Sequence, residues 1–163
     1  MIRLQLILPG LALMLATAII AQPRKVKATE LAALISNADH PLVINFWATW
    51  CMPCIEELPY FEKLAAGYKK DSVELILVSL DMKDDYPGKI ERFIRERKIV
   101  STVWWLDEHD ADYFCPLIDR KWSGSLPATL MVNPRTGHRR FFEKQLSEKQ
   151  LEKELAEMLH IGI

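Results

Sequence analysis

The 163 residues carry 21 basic and 22 acidic side chains for a formal net charge of −1, and half of them are hydrophobic. This length suits one compact domain, and nine prolines with six glycines exclude collagen-like and low-complexity classes. Charges of both signs are interspersed without a basic stripe, which argues against nucleic acid as a partner.

The chain opens on Met1–Ala21, whose single charge, Arg3, precedes the apolar run Leu4–Ile20, broken by Gln5 and Pro9-Gly10. With the small residues Ala16, Thr17, Ala18 and Ala21 at its end, this segment reads as an export signal cleaved after Ala21, or failing that after Ala18. The competing reading is an uncleaved membrane anchor, because the run approaches the roughly 20 residues that span a bilayer. Cysteine is absent from the cleavage region, which speaks against a lipoprotein. Residues 22–163 are then one exported domain, periplasmic in a cell that has that compartment. Outside the cytosol, three cysteines imply pairing or redox work.

A short polar link leads to Ala28–Ser36, where Leu31, Leu34 and Ile35 recur at helical spacing. Leu42–Trp47 is a continuous apolar run of branched and aromatic residues, the pattern of a central strand buried on both faces. Pro53–Tyr68 returns to helical spacing, and Val73–Leu80 is a second buried strand. Pro87 starts a helix with Ile90, Phe93 and Ile94 on one stripe, followed by a strand at Thr102–Leu106. Asp110–Lys121 reads as a short or broken helix, interrupted by Pro116. Ala128–Val132 and His138–Phe142 flank the turn signature Asn133–Gly137 and form a hairpin. Ser147 caps a last helix, Glu148–Leu159, with Leu151, Leu155, Met158 and Leu159 inward. The early alternation implies parallel strands with helical crossovers, and the late hairpin adds an antiparallel edge: an α/β fold with a mixed sheet.

The segment Phe46–Cys54 (FWATWCMPC) lies where a strand turns into a helix. A cysteine at a helix start faces unpaired N–H groups and the positive end of the helix dipole, which favour thiolate. Cys51 is thereby suited to attack a disulfide, and Cys54, three residues on, to resolve the mixed disulfide. Haem attachment would need histidine where Ile55 stands, and a structural zinc would need a second ligand pair that the scattered histidines do not supply. On the helical wheel Glu57 falls inside the apolar sector of Leu58, Phe61, Ala65 and Tyr68, three residues from Cys54, while Glu56 points the opposite way. Glu57 is therefore a candidate to exchange protons with Cys54, against the plainer reading of an edge glutamate reaching water. Pro59 is expected to kink this helix. Trp50 is a candidate to shield the sulfurs and line a partner groove, whereas Trp47, Trp104, Trp105 and Trp122 read as packing residues. Cys115 reads as a buried free thiol, with an accessible regulatory thiol as the alternative.

Phe46–Cys54 resembles the signature of the thioredoxin superfamily, and Trp50-Cys51-Met52-Pro53-Cys54 followed by Glu57-Leu58-Pro59 resembles its exported TlpA/ResA-type branch. The similarity of element order runs from about Leu42 to Leu159. The resemblance implies a thioredoxin-like fold with helices on both faces of a central sheet, and disulfide exchange with protein thiols or disulfides. It also implies a cis-proline opposite the redox pair, which Ser125-Leu126-Pro127-Ala128-Thr129 matches, with the Leu126 backbone pairing with an incoming peptide. The family has an acid at the spacing of Glu57. Where cytosolic thioredoxin has a buried aspartate this chain has Asn45, leaving Glu57 as the expected sole buried acid. Neither metal nor organic cofactor is needed, since the cysteine pair carries two electrons. The expected state is a monomer served by an exported or membrane-bound redox partner. Met52 and Pro53 offer the Cys51 thiolate neither charge nor side-chain donor, which points to a reductant. The rivals are a non-catalytic peptide-binding module of the same fold, a peroxidase of the same fold and a zinc-binding domain.

Overall fold

The computed structural model describes residues 23–160, so the expected export segment lies outside the described residues. In chain order the elements are β1 (Arg24–Val26), α1 (Ala28–Ser36), β2 (Leu42–Trp47), α2 (Met52–Gly67), β3 (Glu74–Ser79), α3 (Gly88–Arg97), β4 (Thr102–Leu106), α4 (Ala111–Ile118), β5 (Ala128–Asn133), β6 (His138–Phe142) and α5 (Glu148–Leu159). They build a six-stranded sheet in the order β1-β4-β3-β2-β5-β6. The first four strands in that order run parallel, β5 runs antiparallel to β2, and β6 antiparallel to β5. This is the thioredoxin-like mixed sheet that the motif implied.

Strand β1 corrects the expectation of a polar link before α1. Only Val26 of its three residues is buried, and the strand pairs with β4 at the sheet's edge. An edge strand with one inward side chain carries no periodicity to read.

Alternation along the buried strands divides the interior between the two faces. Val43 and Trp47 of β2, Leu75 and Leu77 of β3, Val103 and Trp105 of β4 and Met131 of β5 meet Cys54, Leu58 and Phe61 of α2, Ile90 and Ile94 of α3, and Leu151, Leu155 and Met158 of α5. The intervening residues, among them Ile44, Phe46, Val78, Trp104 and Leu130, meet Leu31 of α1, Phe114, Cys115 and Ile118 of α4, and Trp122. Burying both faces is what makes β2 apolar throughout.

The helix ends follow local chemistry. Ser147 accepts from the Gln150 N–H while Gln150 reaches back to the Ser147 N–H, a capping box for α5. Asp110 accepts from Asp112 N–H and Tyr113 N–H at the start of α4. Pro116 lies inside α4 without breaking it; the helix closes at Ile118, two residues later, so the one lost backbone bond falls in its final turn. Pro59 likewise lies within the continuous α2. Tyr86–Pro87 and Leu126–Pro127 are cis peptide bonds. The second meets the expectation of the resemblance, and the first was not foreseen.

Candidate active site

Beyond Trp47 the chain leaves the sheet between two neighbours that hold it, β3 and β5. The Cys51 N–H donates to the Ala48 carbonyl at 3.1 Å, and the Cys51 carbonyl accepts from the Ile55 N–H at 3.0 Å as the first bond of α2. Cys51 is thus the N-cap, in extended conformation, with Pro53 in the first turn where its missing N–H costs nothing. No acidic side chain lies in that turn. The sulfur sits at the positive end of the helix with no carboxylate of that turn to oppose a thiolate. Cys51 and Cys54 are joined as a disulfide with Cα atoms 5.3 Å apart. Cys51 is 6% exposed and Cys54 wholly buried, while Trp50 and Met52 beside them are 57% and 62% exposed. Access from outside is therefore through Cys51, along an apolar rim.

Glu57 is completely buried, as its helical direction implied. Its carboxyl accepts from the Asn45 amide at 2.8 Å through one oxygen and from the Leu146 N–H at 2.8 Å through the other. Burial pushes its pKa up from an ordinary 4.5 to about 7, and the two donors hold it from rising further. Asn45 also donates to the Thr129 hydroxyl at 3.2 Å, which ties α2, β2 and β5 together behind the cysteines. Cys54 and Glu57, three residues apart on α2, share the inward face of that helix. Glu56 is exposed and accepts from the Gln145 amide at 3.2 Å.

Glu57 is not the only buried acid. Asp81, which follows β3, is 2% exposed and accepts from the Thr49 N–H at 3.1 and 3.0 Å, from the Thr49 hydroxyl and from the Ser79 hydroxyl at 2.8 Å. Its backbone carbonyl takes the indole N–H of Trp105 at 2.8 Å. The carboxylate therefore anchors the turn between Trp47 and Cys51. In the sequence Asp81 looks like a polar residue entering a loop, since the Thr49 donors, three of the four bonds to its carboxylate, lie 32 positions upstream. Thr129 and the Leu146 N–H escaped notice for the same reason.

The register pairs Phe46 with Ala128, so Pro127 stands opposite the start of the turn that carries Trp50 and Cys51. Pro127 is buried, Leu126 is half-buried, and Leu126 packs on both interior clusters. Trp47 and Trp105 are fully buried, with Trp104 and Trp122 nearly so, which makes all four packing residues as expected. Cys115 is free and buried among the residues of α1 and α4, on the opposite side of the sheet from the Cys51–Cys54 pair. Burial pushes its thiol up to about 11. No group of three or more His, Cys, Asp or Glu among the described residues is placed to hold a metal ion.

Residues 16–137 match the model of the AhpC/TSA family. Over 93 residues the chain is 36% identical to the thiol-disulfide oxidoreductase ResA of Oceanobacillus iheyensis, covering 57% of this chain and 44% of that protein. It is 34% identical over 69 residues to the sporulation thiol-disulfide oxidoreductase A of Bacillus subtilis, covering 42% of each. The matches thus span less than half the length of these two relatives. Among solved structures, a thioredoxin-related protein from Neisseria meningitidis serogroup B superposes with a TM-score of 0.63 at 26% identity, over 78% of this chain and 91% of that one. StoA from Bacillus subtilis superposes with a TM-score of 0.54 at 24% identity, covering 73% of this chain and 84% of its own, a likeness of fold.

Proposed function

Because the chain belongs to the AhpC/TSA family of thioredoxin-like proteins, we propose that it is a thiol–disulfide oxidoreductase that reduces disulfides of protein substrates through Cys51 and Cys54. The observation that carries this reading is the placement of Cys51: an N-cap sulfur at the surface end of a buried cysteine pair, with the fully buried Glu57 carboxyl one helical turn beyond Cys54.

In the reducing direction the Cys51 thiolate attacks one sulfur of a substrate disulfide. That bond breaks, the first substrate sulfur leaves as thiolate, and Cys51 is left in a mixed disulfide. Cys54 then gives its proton to the Glu57 carboxylate and attacks the Cys51 sulfur. The second substrate sulfur leaves, the substrate has gained two electrons, and Cys51–Cys54 is oxidised. A carboxyl with a pKa of about 7 is divided between its two forms near neutral pH, which suits it to accept this proton and return it. Trp50 and the Leu126–Pro127 edge line the groove in which the peptide lies.

We place the protein outside the cytosol because of its leader-like Met1–Ala21. No helix among the described residues is long and apolar enough to cross a membrane. An exported or membrane-bound dithiol would return the pair to its reduced form. The uncharged Met52–Pro53 spacer supports the reductant role. The test is redox titration of the purified protein together with reduction of a protein disulfide such as that of insulin. A potential below about −200 mV with catalysed reduction is expected. A potential near about −120 mV would make it an oxidant, and no turnover at all would leave a peptide-binding module.

A further inference from the structure

Strand β6, at one edge of the sheet, is followed by a side chain that reaches the loop leading into β5. Glu143, the residue after β6, half-buried, turns one carboxylate oxygen onto the loop between α4 and β5. That oxygen accepts from the Ser123 N–H at 3.0 Å, from the Ser125 N–H at 2.9 Å and from the Ser123 hydroxyl. Gly124, between the two serines, has φ +97°, a conformation that turns the flanking N–H groups the same way. Two amides and a hydroxyl converging on one oxygen make an anion cradle, filled here by the chain's own carboxylate. Burial pushes the Glu143 carboxyl up, but the hydrogen bonds from Ser123 and Ser125 outweigh it and hold the group below its ordinary value. It therefore stays charged at neutral pH.

The same loop is held from the other side. Trp122, in ring contact with Phe46, Phe114 and Phe141, donates its indole N–H to the Ser125 carbonyl at 3.0 Å. Both backbone groups of Ser125 are thus committed inward, one to Glu143 and one to Trp122. Leu126 comes next, and among the loop and side-chain hydrogen bonds of the described residues none uses its N–H or C=O. The pair of clamps fixes the residue immediately before the one whose backbone is left for an extended partner.

We propose that Glu143 is a positioning residue for substrate binding: it holds the Ser123–Ser125 loop so that the Leu126 edge is preformed for an incoming peptide, and it takes no part in the sulfur chemistry. This deepens the thiol-exchange reading and rests on it. Without the carboxylate the loop must be ordered at the moment of binding, and that entropy is charged to affinity. Only a substrate with a backbone to pair should register the loss.

The experiment compares wild type, Glu143→Ala and Glu143→Gln on two substrates, a disulfide-bonded peptide and 2-hydroxyethyl disulfide, which has no peptide backbone. For the peptide, Glu143→Ala should raise KM about tenfold with kcat little changed. For the small disulfide, kcat/KM should stay within about twofold, and the midpoint potential should not move. Glu143→Gln keeps an acceptor oxygen in the cradle and should recover most of the peptide affinity. A peptide KM equal to wild type in Glu143→Ala overturns the proposal, as does an equal loss on both substrates. Wild-type protein inactive on both substrates overturns the thiol-exchange reading itself, and the proposal with it.

Discussion

Replacing Cys54 by serine should leave a nucleophile with no resolving partner, so a mixed disulfide through Cys51 should accumulate on exposure to a protein disulfide. Cys51→Ser should abolish turnover and trap nothing. Non-reducing electrophoresis with mass spectrometry decides the matter, and trapping through Cys54 instead would reverse the assignment. Glu57 offers a test by pH. Its folded value of about 7 lies above the ordinary 4.5 expected in the unfolded chain. The folded form thus holds the proton more tightly, so the stability linked to that proton is full below about 4.5 and is lost as pH rises through about 7. The loss is about 3 kcal/mol over that window. Urea unfolding at intervals from pH 4 to 8 should show this decline in wild type but not in Glu57→Gln, whose amide does not titrate. Resolution of a mixed disulfide by Cys54 should also slow in Glu57→Gln, with an altered pH dependence, and remain unchanged in Glu56→Gln. Identical pH–stability curves for wild type and Glu57→Gln would sink the proton-exchange role. The burial of Glu57 was legible because helical direction is a local property. The donors from Asn45 and Leu146 were not, since 12 and 89 positions separate them from it.

Elements with strong periodicity were readable to within a residue or two: β4 and α5 fall on the expected residues, and β5 runs one residue longer, to Asn133. The three-residue β1 was not, because an edge strand with one buried side chain has no pattern of its own. The turn between β2 and α2 shows the same limit in a functional place. Its motif announces the chemistry, but what holds it is Asp81 at the end of a neighbouring strand. Asp81→Ala should strip acceptors from the Thr49 N–H, the Thr49 hydroxyl and the Ser79 hydroxyl together. A loss of about 2–3 kcal/mol is expected in chemical denaturation, accompanied by a lower kcat as the Cys51 turn loosens. Unchanged stability and kcat would show that the turn is held by its own backbone.

Across the whole molecule the sheet separates two interiors, one holding the redox pair and the other Cys115. Cys115→Ser should therefore keep full exchange activity while costing about 1–2 kcal/mol for a hydroxyl placed in an apolar site. Native Cys115 should resist alkylation, given its burial and a thiol pushed up to about 11. Rapid labelling of the folded protein, or lost activity in the variant, would instead make Cys115 a regulatory thiol. The isolation of this third sulfur has a practical corollary. The full sequence contains three cysteines, and the one behind the sheet stays a thiol throughout the cycle. Acid-quenched, denatured and alkylated protein should then carry one adduct when oxidised, two when Cys51 is joined to a substrate, and three when reduced. A mass spectrum of untagged protein taken from cells would resolve the three stages of turnover by weight alone, with Cys115 marking every molecule counted.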